Sequence, residues 1–308
     1  MVKILKNIGV AVLKFIMPKT SFNSLKVKRN HQLQSRYLKK LTKKIIAYHK
    51  KSNDKEVLEV LDFLRNNEIN VFPYSFINTY KALEIQVIDD EELGLKYVWH
   101  QHKRLYFKRS MSSNGIKNLY RGLLIDQDKK SPHLYLTSTF RLTENDVVAD
   151  IGAAEGNFTL SNIETIKKAY IFESDIEWVE ALEATFSPWK EKVEIINKFV
   201  TNCDSDTSLN ISSFYQKHDD ISFFKVDIEG EEYNFLNAAS SIFKANVNVK
   251  IAICTYHKQN DEVQFTEMLR SLGFSIELSD GYMIFFYDKK IKPPYLRRGL
   301  IRAIKIAQ

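Results

Sequence analysis

Apolar positions follow three different patterns along the chain. In residues 1–17, a spacing of 100° per residue gathers Ile4, Leu5, Ile8, Val12, Phe15 and Ile16 on one side and Lys3, Lys6, Asn7 and Lys14 on the other. That is the pattern of an amphipathic helix lying at an interface, and Pro18 ends it. From 54 to about 141 the pattern is mixed. Val57, Leu58, Val60, Leu61 and Leu64 predict an amphipathic helix, the stretch 73–83 predicts a second, and the β-rich runs 97–99 and 105–107 predict a hairpin. After Thr143 strand-like runs at 147–151, 169–172, 193–200, 221–226 and 249–255 alternate with helical stretches, the rhythm of a parallel sheet covered by helices on both faces. Runs at 275–278 and 282–287 flank the turn signal Ser279-Asp280-Gly281 and predict an antiparallel pair. A short basic and apolar helix is predicted at 296–305, after Pro293-Pro294. The chain therefore divides into a basic arm (1–53), a helical and hairpin extension (54–140), an α/β domain (141–290) and a basic tail (291–308).

Composition narrows the function classes. With 308 residues, 44% of them hydrophobic, the chain buries a substantial core. Cys203 and Cys254 are its two cysteines and neither belongs to a CxxC pair, which excludes a disulfide framework or a thiolate metal cage and points to a reducing, cytoplasmic setting without a bound metal. The net charge of +7 hides an asymmetry: residues 1–53 hold 14 Lys and Arg and no acid, whereas the remainder holds 31 basic and 38 acidic residues. The apolar run 8–17 is interrupted by Lys14, and it falls short of the roughly 20 residues that span a bilayer. Residues 15–19 offer no small-x-small cleavage site, so export is not expected. Two readings of the arm stay open: peripheral docking on anionic lipid at the cytoplasmic face, at about 1 kcal/mol per basic residue, or packing of its apolar side on the body with the lysines solvated. No zinc-finger, helix-turn-helix or ribonucleoprotein signature accompanies the charge, so nucleic acid is not an expected partner.

The first strand of the α/β domain runs into Asp150-Ile151-Gly152-Ala153-Ala154-Glu155-Gly156-Asn157-Phe158-Thr159, small residues where a strand turns into a helix and the backbone can approach a ligand closely. A dinucleotide fingerprint requires glycines at 152, 154 and 157, but the chain has Ala154 and Asn157. An acid two positions before a small-residue series at 152, 154 and 156 fits S-adenosylmethionine (SAM) better, with Asp150 serving the methionine ammonium. Glu173 follows Gly152 by 21 residues at the end of the second strand, where a carboxylate accepts from both ribose hydroxyls of a nucleoside.

The fourth strand ends in Lys225-Val226-Asp227-Ile228-Glu229-Gly230-Glu231-Glu232. This segment and the first motif together resemble the FkbM-type SAM-dependent methyltransferases. Lys225, Asp227, Ile228, Glu229, Gly230 and Glu232 match one family motif, and Asp150, Ile151, Gly152, Ala153, Gly156 and Thr159 match the other. Ile171-Phe172-Glu173 resembles a third, with Ser174 in place of a proline. The resemblance covers about residues 144–288. It implies a Rossmann-like class I fold, a seven-stranded, mostly parallel sheet of order 3-2-1-4-5-7-6, and O-methylation of a sugar, glycan or lipid-linked saccharide hydroxyl. The runs 275–278 and 282–287 would be its last two strands. Cofactor contacts would come from Asp150, Gly152, Ala153, Ala154, Glu155, Gly156, Asn157, Thr159, Glu173 and Asp227, with Asn202 and Asp204 near the adenine.

A hydroxyl needs a base to become a nucleophile at neutral pH. The candidates at the strand ends are Asp227, Glu229 and His257, although His257 could equally cap the next helix, and Glu229 and Glu232 could serve a helix dipole. His133 could close over the cofactor or form a turn. Tyr256, Trp178 and Trp189 read as packing residues. Outside this reading stand a nicotinamide-dependent oxidoreductase and a membrane-surface scaffold with a methyltransferase-like fold and no turnover.

Overall fold

The computed structural model describes residues 19–218, 220–245 and 248–306. The interfacial helix expected at 1–17 lies outside them. Helix α1 (Lys19–His49) buries Leu41 and Ile45, four residues apart on one face, against α2 (Lys55–Asn66) and against Phe72, Tyr74, Met283, Ile284 and Tyr295. Arg36, Lys40, Lys43 and Lys44 point outward. The second half of the arm thus packs on the body. Asp54 caps α2 by accepting from the amides of Glu56 (2.9 Å) and Val57 (3.4 Å), an arrangement worth about 1 kcal/mol.

The helix expected over 73–83 is instead a pair of 3-10 turns, Ser75–Thr79 and Ala82–Glu84. Arg121 explains the difference, because its guanidinium claims the carbonyls of Tyr80 (2.7 Å) and Ile77 (3.0 Å) that a continuous helix would need for itself. The predicted hairpin is present as β2 (Leu95–His100) and β3 (Lys103–Phe107), with β1 (Ile88–Asp90) added at the edge of β2. Gln101 and His102 both have positive φ, the two-residue loop whose twist suits antiparallel strands. Helix α3 (Ser113–Asp126) completes the extension.

The main sheet is built from β4 (Val147–Ile151), β5 (Lys168–Phe172), β6 (Val193–Ile196), β9 (Phe223–Val226), β10 (Val249–Cys254), β11 (Ser275–Leu278) and β12 (Leu300–Lys305). A small parallel pair, β7 (Phe199–Thr201) with β8 (Ser208–Asn210), stands apart, so the run expected as one strand at 193–200 is broken in two. The connecting helices are α4 (Asn157–Asn162), α5 (Ile176–Phe186), α6 (Ile211–Tyr215), α7 (Glu232–Ala245) and α8 (Asp261–Ser271). Across the sheet the order is β6-β5-β4-β9-β10-β12-β11. Counted along the chain this is 3-2-1-4-5-7-6, with β12 antiparallel to both neighbours.

The identity of the seventh strand corrects the sequence reading. It is Leu300–Lys305, within the segment expected to be a helical tail, and not 282–287. Burial in β12 alternates with period two: Ile301 and Ala303 face one core and Leu300 the other, which suits a strand between two neighbours. Arg302, unusual in such a place, is buried with its guanidinium on the carbonyls of Leu134 (2.6 Å) and Tyr135 (3.1 Å) and on Glu277 (2.7 Å). The residues 282–287 are drawn elsewhere. Tyr74 accepts from the Tyr282 amide, Val71 accepts from Ile284, and Met283 pairs with Arg297.

Each face of the sheet has its own core. Val147, Ala149, Ile151, Phe224, Val226, Ile251 and Ile253 pack beneath α6, α7 and α8. Val148, Phe223, Ala252 and Cys254 face Val98, Leu105, Phe107, Ile116 and Tyr120 of the extension. The extension is therefore one of the three layers of the domain. Truncating Ile301 to Ala is expected to cost about 2–5 kcal/mol in urea unfolding. The same change at Ile306, 67% exposed beyond the strand, should stay within about 0.5 kcal/mol.

Candidate active site

Strand alternation turns Asp150 and Lys225 to the same side of the sheet, directly opposite each other in the β4–β9 register. Both are buried. The Lys225 ammonium lies 3.1 Å from Asp150 Oδ1 and donates to the Gly152 carbonyl at 2.7 Å, while Thr159 donates to Asp150 Oδ2 at 2.7 Å. Burial alone would push Lys225 down, but Asp150 and Asp227 lift it above its ordinary value. Asp150, assigned from sequence to the methionine ammonium, is fully buried and committed to this pair. It orders the site from beneath.

The turn after β4 is held from several directions. The Gly152 and Ala153 amides donate to the Phe172 carbonyl, and Gly156 to that of Ala153. Gly152 and Gly156 have φ of +73° and +76°. A Cβ on Gly152 would lie 2.0 Å from the Asp227 carbonyl oxygen, and one on Gly156 would lie 2.5 Å from Leu182. The space these glycines leave is thus filled by the end of β9 and by α5, not kept open as the sequence reading supposed. Ala153 and Thr159 are also buried structural positions, and Asn157 opens α4. Glu173 accepts from the amides of Ala154 (2.9 Å) and Asp175 (2.8 Å), tying the turn to the end of β5. Asn197 holds the Glu173 and Ser174 carbonyls from the other side. Glu155 is buried with no hydrogen bond to another side chain among the described residues, and burial pushes it up to about 7 against the pull of Lys225.

Beyond β9, Asp227 gathers four rings. Tyr135 donates to Oδ2 at 3.0 Å and Tyr256 to Oδ1 at 3.2 Å. The Nε2 atoms of His133 and His257 lie 3.6 Å from Oδ2 and Oδ1 respectively. Burial would raise Asp227, but His133, Lys225 and His257 outweigh it and hold the carboxyl far below its usual range. Burial, reinforced by Asp227, pushes both tyrosines well above 10. His257 presents Nδ1 at 2.9 Å to Glu232 Oε1. Glu232 is itself fully buried and accepts from the amides of Ile228 (3.0 Å) and Gly230 (3.3 Å). Burial would lower His257, yet Glu232 and Asp227 raise it above 6.5. The ligand atoms of His133, Asp227 and Cys254 lie within 4.8 Å of one another, as do those of Asp227, Glu232 and His257.

Of the three candidates for acid–base work, Asp227 and His257 are therefore together. Glu229 sits at the rim, its side chain 91% exposed and its carboxylate 3.9 Å from His257 Nε2. Asn202 and Asp204 lie in the exposed loop between β7 and β8, where Asn210 donates to the Asp204 carboxylate (2.8 Å) and to the Asn202 carbonyl (3.0 Å). The sequence reading missed the roles of Tyr135 and Tyr256, whose hydroxyls face Asp227, and of Glu232, which serves His257 as well as its helix. The periodicity of β4 and β9 was the signal that pairs Asp150 with Lys225.

Substituting Lys225 with Met strands the Asp150 carboxylate in the core. It is expected to cost about 3–5 kcal/mol in chemical denaturation. The double change Asp150→Asn with Lys225→Met should recover a large part of that loss.

Residues 141–282 match the model of the methyltransferase FkbM domain family. No curated protein matches the sequence. Among solved structures, the FkbM methyltransferase of Methylobacillus flagellatus is 15% identical, with 81% of this chain and 62% of that chain covered and a TM-score of 0.41. The chain thus spans under two thirds of that protein. A precorrin-6y C5,15-methyltransferase from Geobacter metallireducens is 11% identical over 54% of this chain and 82% of its own, with a TM-score of 0.38. A Streptococcus mutans protein solved in complex with SAH is 16% identical over 54% and 91%, with a TM-score of 0.36. Residues 141–282, a little under half of the chain, are thus similar to the methyltransferase FkbM domain.

Proposed function

We propose that the protein is a SAM-dependent O-methyltransferase whose acceptor is a hydroxyl of a sugar, glycan or lipid-linked saccharide. The observation that carries the reading is the line Glu232, His257, Asp227 at the carboxyl edge of β9 and β10, where open α/β sheets place their ligands. A buried carboxylate fixes Nδ1 of His257, so that Nε2 is the nitrogen offered to the site.

The donor set fits SAM, whose ribose hydroxyls and methionine ammonium all seek acceptors. Glu173 and Glu155 flank the turn with carboxylates. On this reading Glu173 takes the ribose, and Glu155, which has no side-chain partner, takes the ammonium. SAM supplies an electrophilic methyl group on a sulfonium. His257 Nε2 receives the proton of the acceptor hydroxyl, and Glu232 stabilises the imidazolium that results. Asp227 is too weak a base for that task. Ionised and held by two tyrosine hydroxyls, it positions the acceptor and balances nearby positive charge.

Calorimetry with SAM and SAH is expected to show micromolar binding, lost by about tenfold or more when Glu155 and Glu173 are both Ala, with no binding of NAD. Failure of SAM and SAH to bind folded protein, or transfer of labelled methyl to none of a broad panel of saccharides, would favour the non-catalytic scaffold. NMR titration of the His257 ring should give a pKa above 6.5, and Glu232→Gln should lower it. Because the folded value is raised, the stability that this group contributes is complete below about pH 6.5 and is lost as pH rises through the folded value.

A further inference from the structure

A cleft of about 960 Å³ opens beside the site, with Glu229, Gly230 and His257 on one wall. Its other walls come from the start of α8 and from the loop 285–292, which lies beyond the matched domain. Four ammonium groups line it: Lys258, Lys289, Lys290 and Lys292. All four lysines are exposed. Among the described residues, no carboxylate lies within ion-pairing distance of Lys289, Lys290 or Lys292, while Lys258 is held on the Gly230 carbonyl. Two acids of the cleft are engaged by other groups. Asp288 is taken by Arg297 at 2.5 Å, and Asp261 is buried while accepting from the Lys258 amide at 2.8 Å. Glu229 stands next to His257. The cleft is also lined by aromatic rings. Phe285 packs edge-on to His257 and Tyr256, and Tyr287, 64% exposed, packs against Phe285.

We infer that the acceptor is an anionic saccharide, its phosphate or carboxylate seated among Lys289, Lys290 and Lys292, with the sugar laid across Phe285 and Tyr287. The inference rests on the methyltransferase reading for the word acceptor, but the anion site stands on the cleft alone. Lysines act on phosphate as mobile point charges and do not demand bidentate geometry, which suits a flexible surface loop. An aromatic face offers the apolar side of a sugar ring a surface, while its hydroxyls remain free to meet His257. The loop lysines and the imidazole belong to different walls of the cleft, so that the anion fixes which hydroxyl reaches Nε2.

The test titrates the full chain, at low and at high salt, with pyrophosphate, glucose 1-phosphate, glucuronate and glucose, and separately with SAH. Glucose 1-phosphate and pyrophosphate are expected to bind at least about tenfold tighter than glucose, a difference of about 1.4 kcal/mol. The variant carrying Lys289→Ala, Lys290→Ala and Lys292→Ala should lose that margin while retaining SAH binding, and Glu229→Gln should tighten anion binding. Glucuronate matching glucose 1-phosphate identifies carboxylate as an accepted anion, and a clear preference for glucose 1-phosphate identifies phosphate. The inference is overturned if glucose binds as tightly as its phosphate, if neither phosphate probe binds below about 10 mM, or if the triple variant keeps the wild-type affinity for both. Loss of SAH binding in the wild type would remove the methyltransferase reading and leave the anion result to decide the cleft.

Discussion

The ion pair between Asp150 and Lys225 is the constraint on which the site depends. Two charges face each other across adjacent strands in the interior of the sheet, with Thr159 and the Gly152 carbonyl completing their bonds. Such a pair gains little net stability over an apolar one of equal shape. Its effect is geometric. It joins β4 to β9 and draws the start of the glycine turn onto Lys225. It also sets the level at which Asp227 leaves the strand, and the Gly152 Cα–H side abuts the Asp227 carbonyl. The two motifs that mark the family are therefore the two halves of one contact.

That contact also redistributes roles within the site. Asp150 pairs with Lys225, while Glu155 and Glu173 flank the glycine turn. With Asp227 held ionised, the groups of the site able to exchange a proton near neutrality include His257 and, at the glycine turn, Glu155. Three of the residues that complete this arrangement, His133, Tyr135 and Tyr256, differ in origin. The first two come from the segment joining the extension to the first sheet strand, before residue 141, and Tyr256 comes from within the matched domain. The extension does more than cover a face of the sheet, because it delivers a histidine and a tyrosine to Asp227.

Much of this was legible in the chain and some was not, for reasons that differ by residue. Strands with continuous apolar runs, such as β4 and β10, announce themselves because both faces are buried. The hairpin did so by its β-rich runs at 97–99 and 105–107. β12 did not: Arg297, Arg298, Arg302 and Lys305 gave it the look of a solvated helix. What makes Arg302 compatible with a central strand is a pair of carbonyls at Leu134 and Tyr135, far away in sequence. Residues 282–287 had strand composition but lost the competition for an edge to partners at Val71 and Tyr74. In the site, residue types at strand ends could be named from spacing. Which hydroxyl met which carboxylate could not, since Tyr135 and Asp227 are 92 positions apart. Tyr256 was read as packing, and its ring does pack on His257 and Phe285, but its hydroxyl is what matters to Asp227.

The placement of β12 has a consequence for how the molecule is made. Among the described residues β11 finds its sheet partner only in β12, and β12 is also the neighbour of β10 on that side. Until residues 300–305 have left the ribosome, β10 carries an open hydrogen-bonding edge and β11 has no sheet to join. Open edges of this kind invite pairing with other chains, and contacts between distant segments form slowly. The nascent sheet is therefore held in an unfinished state until β12 is synthesised, and a chaperone that shields β10 during that interval would protect the domain.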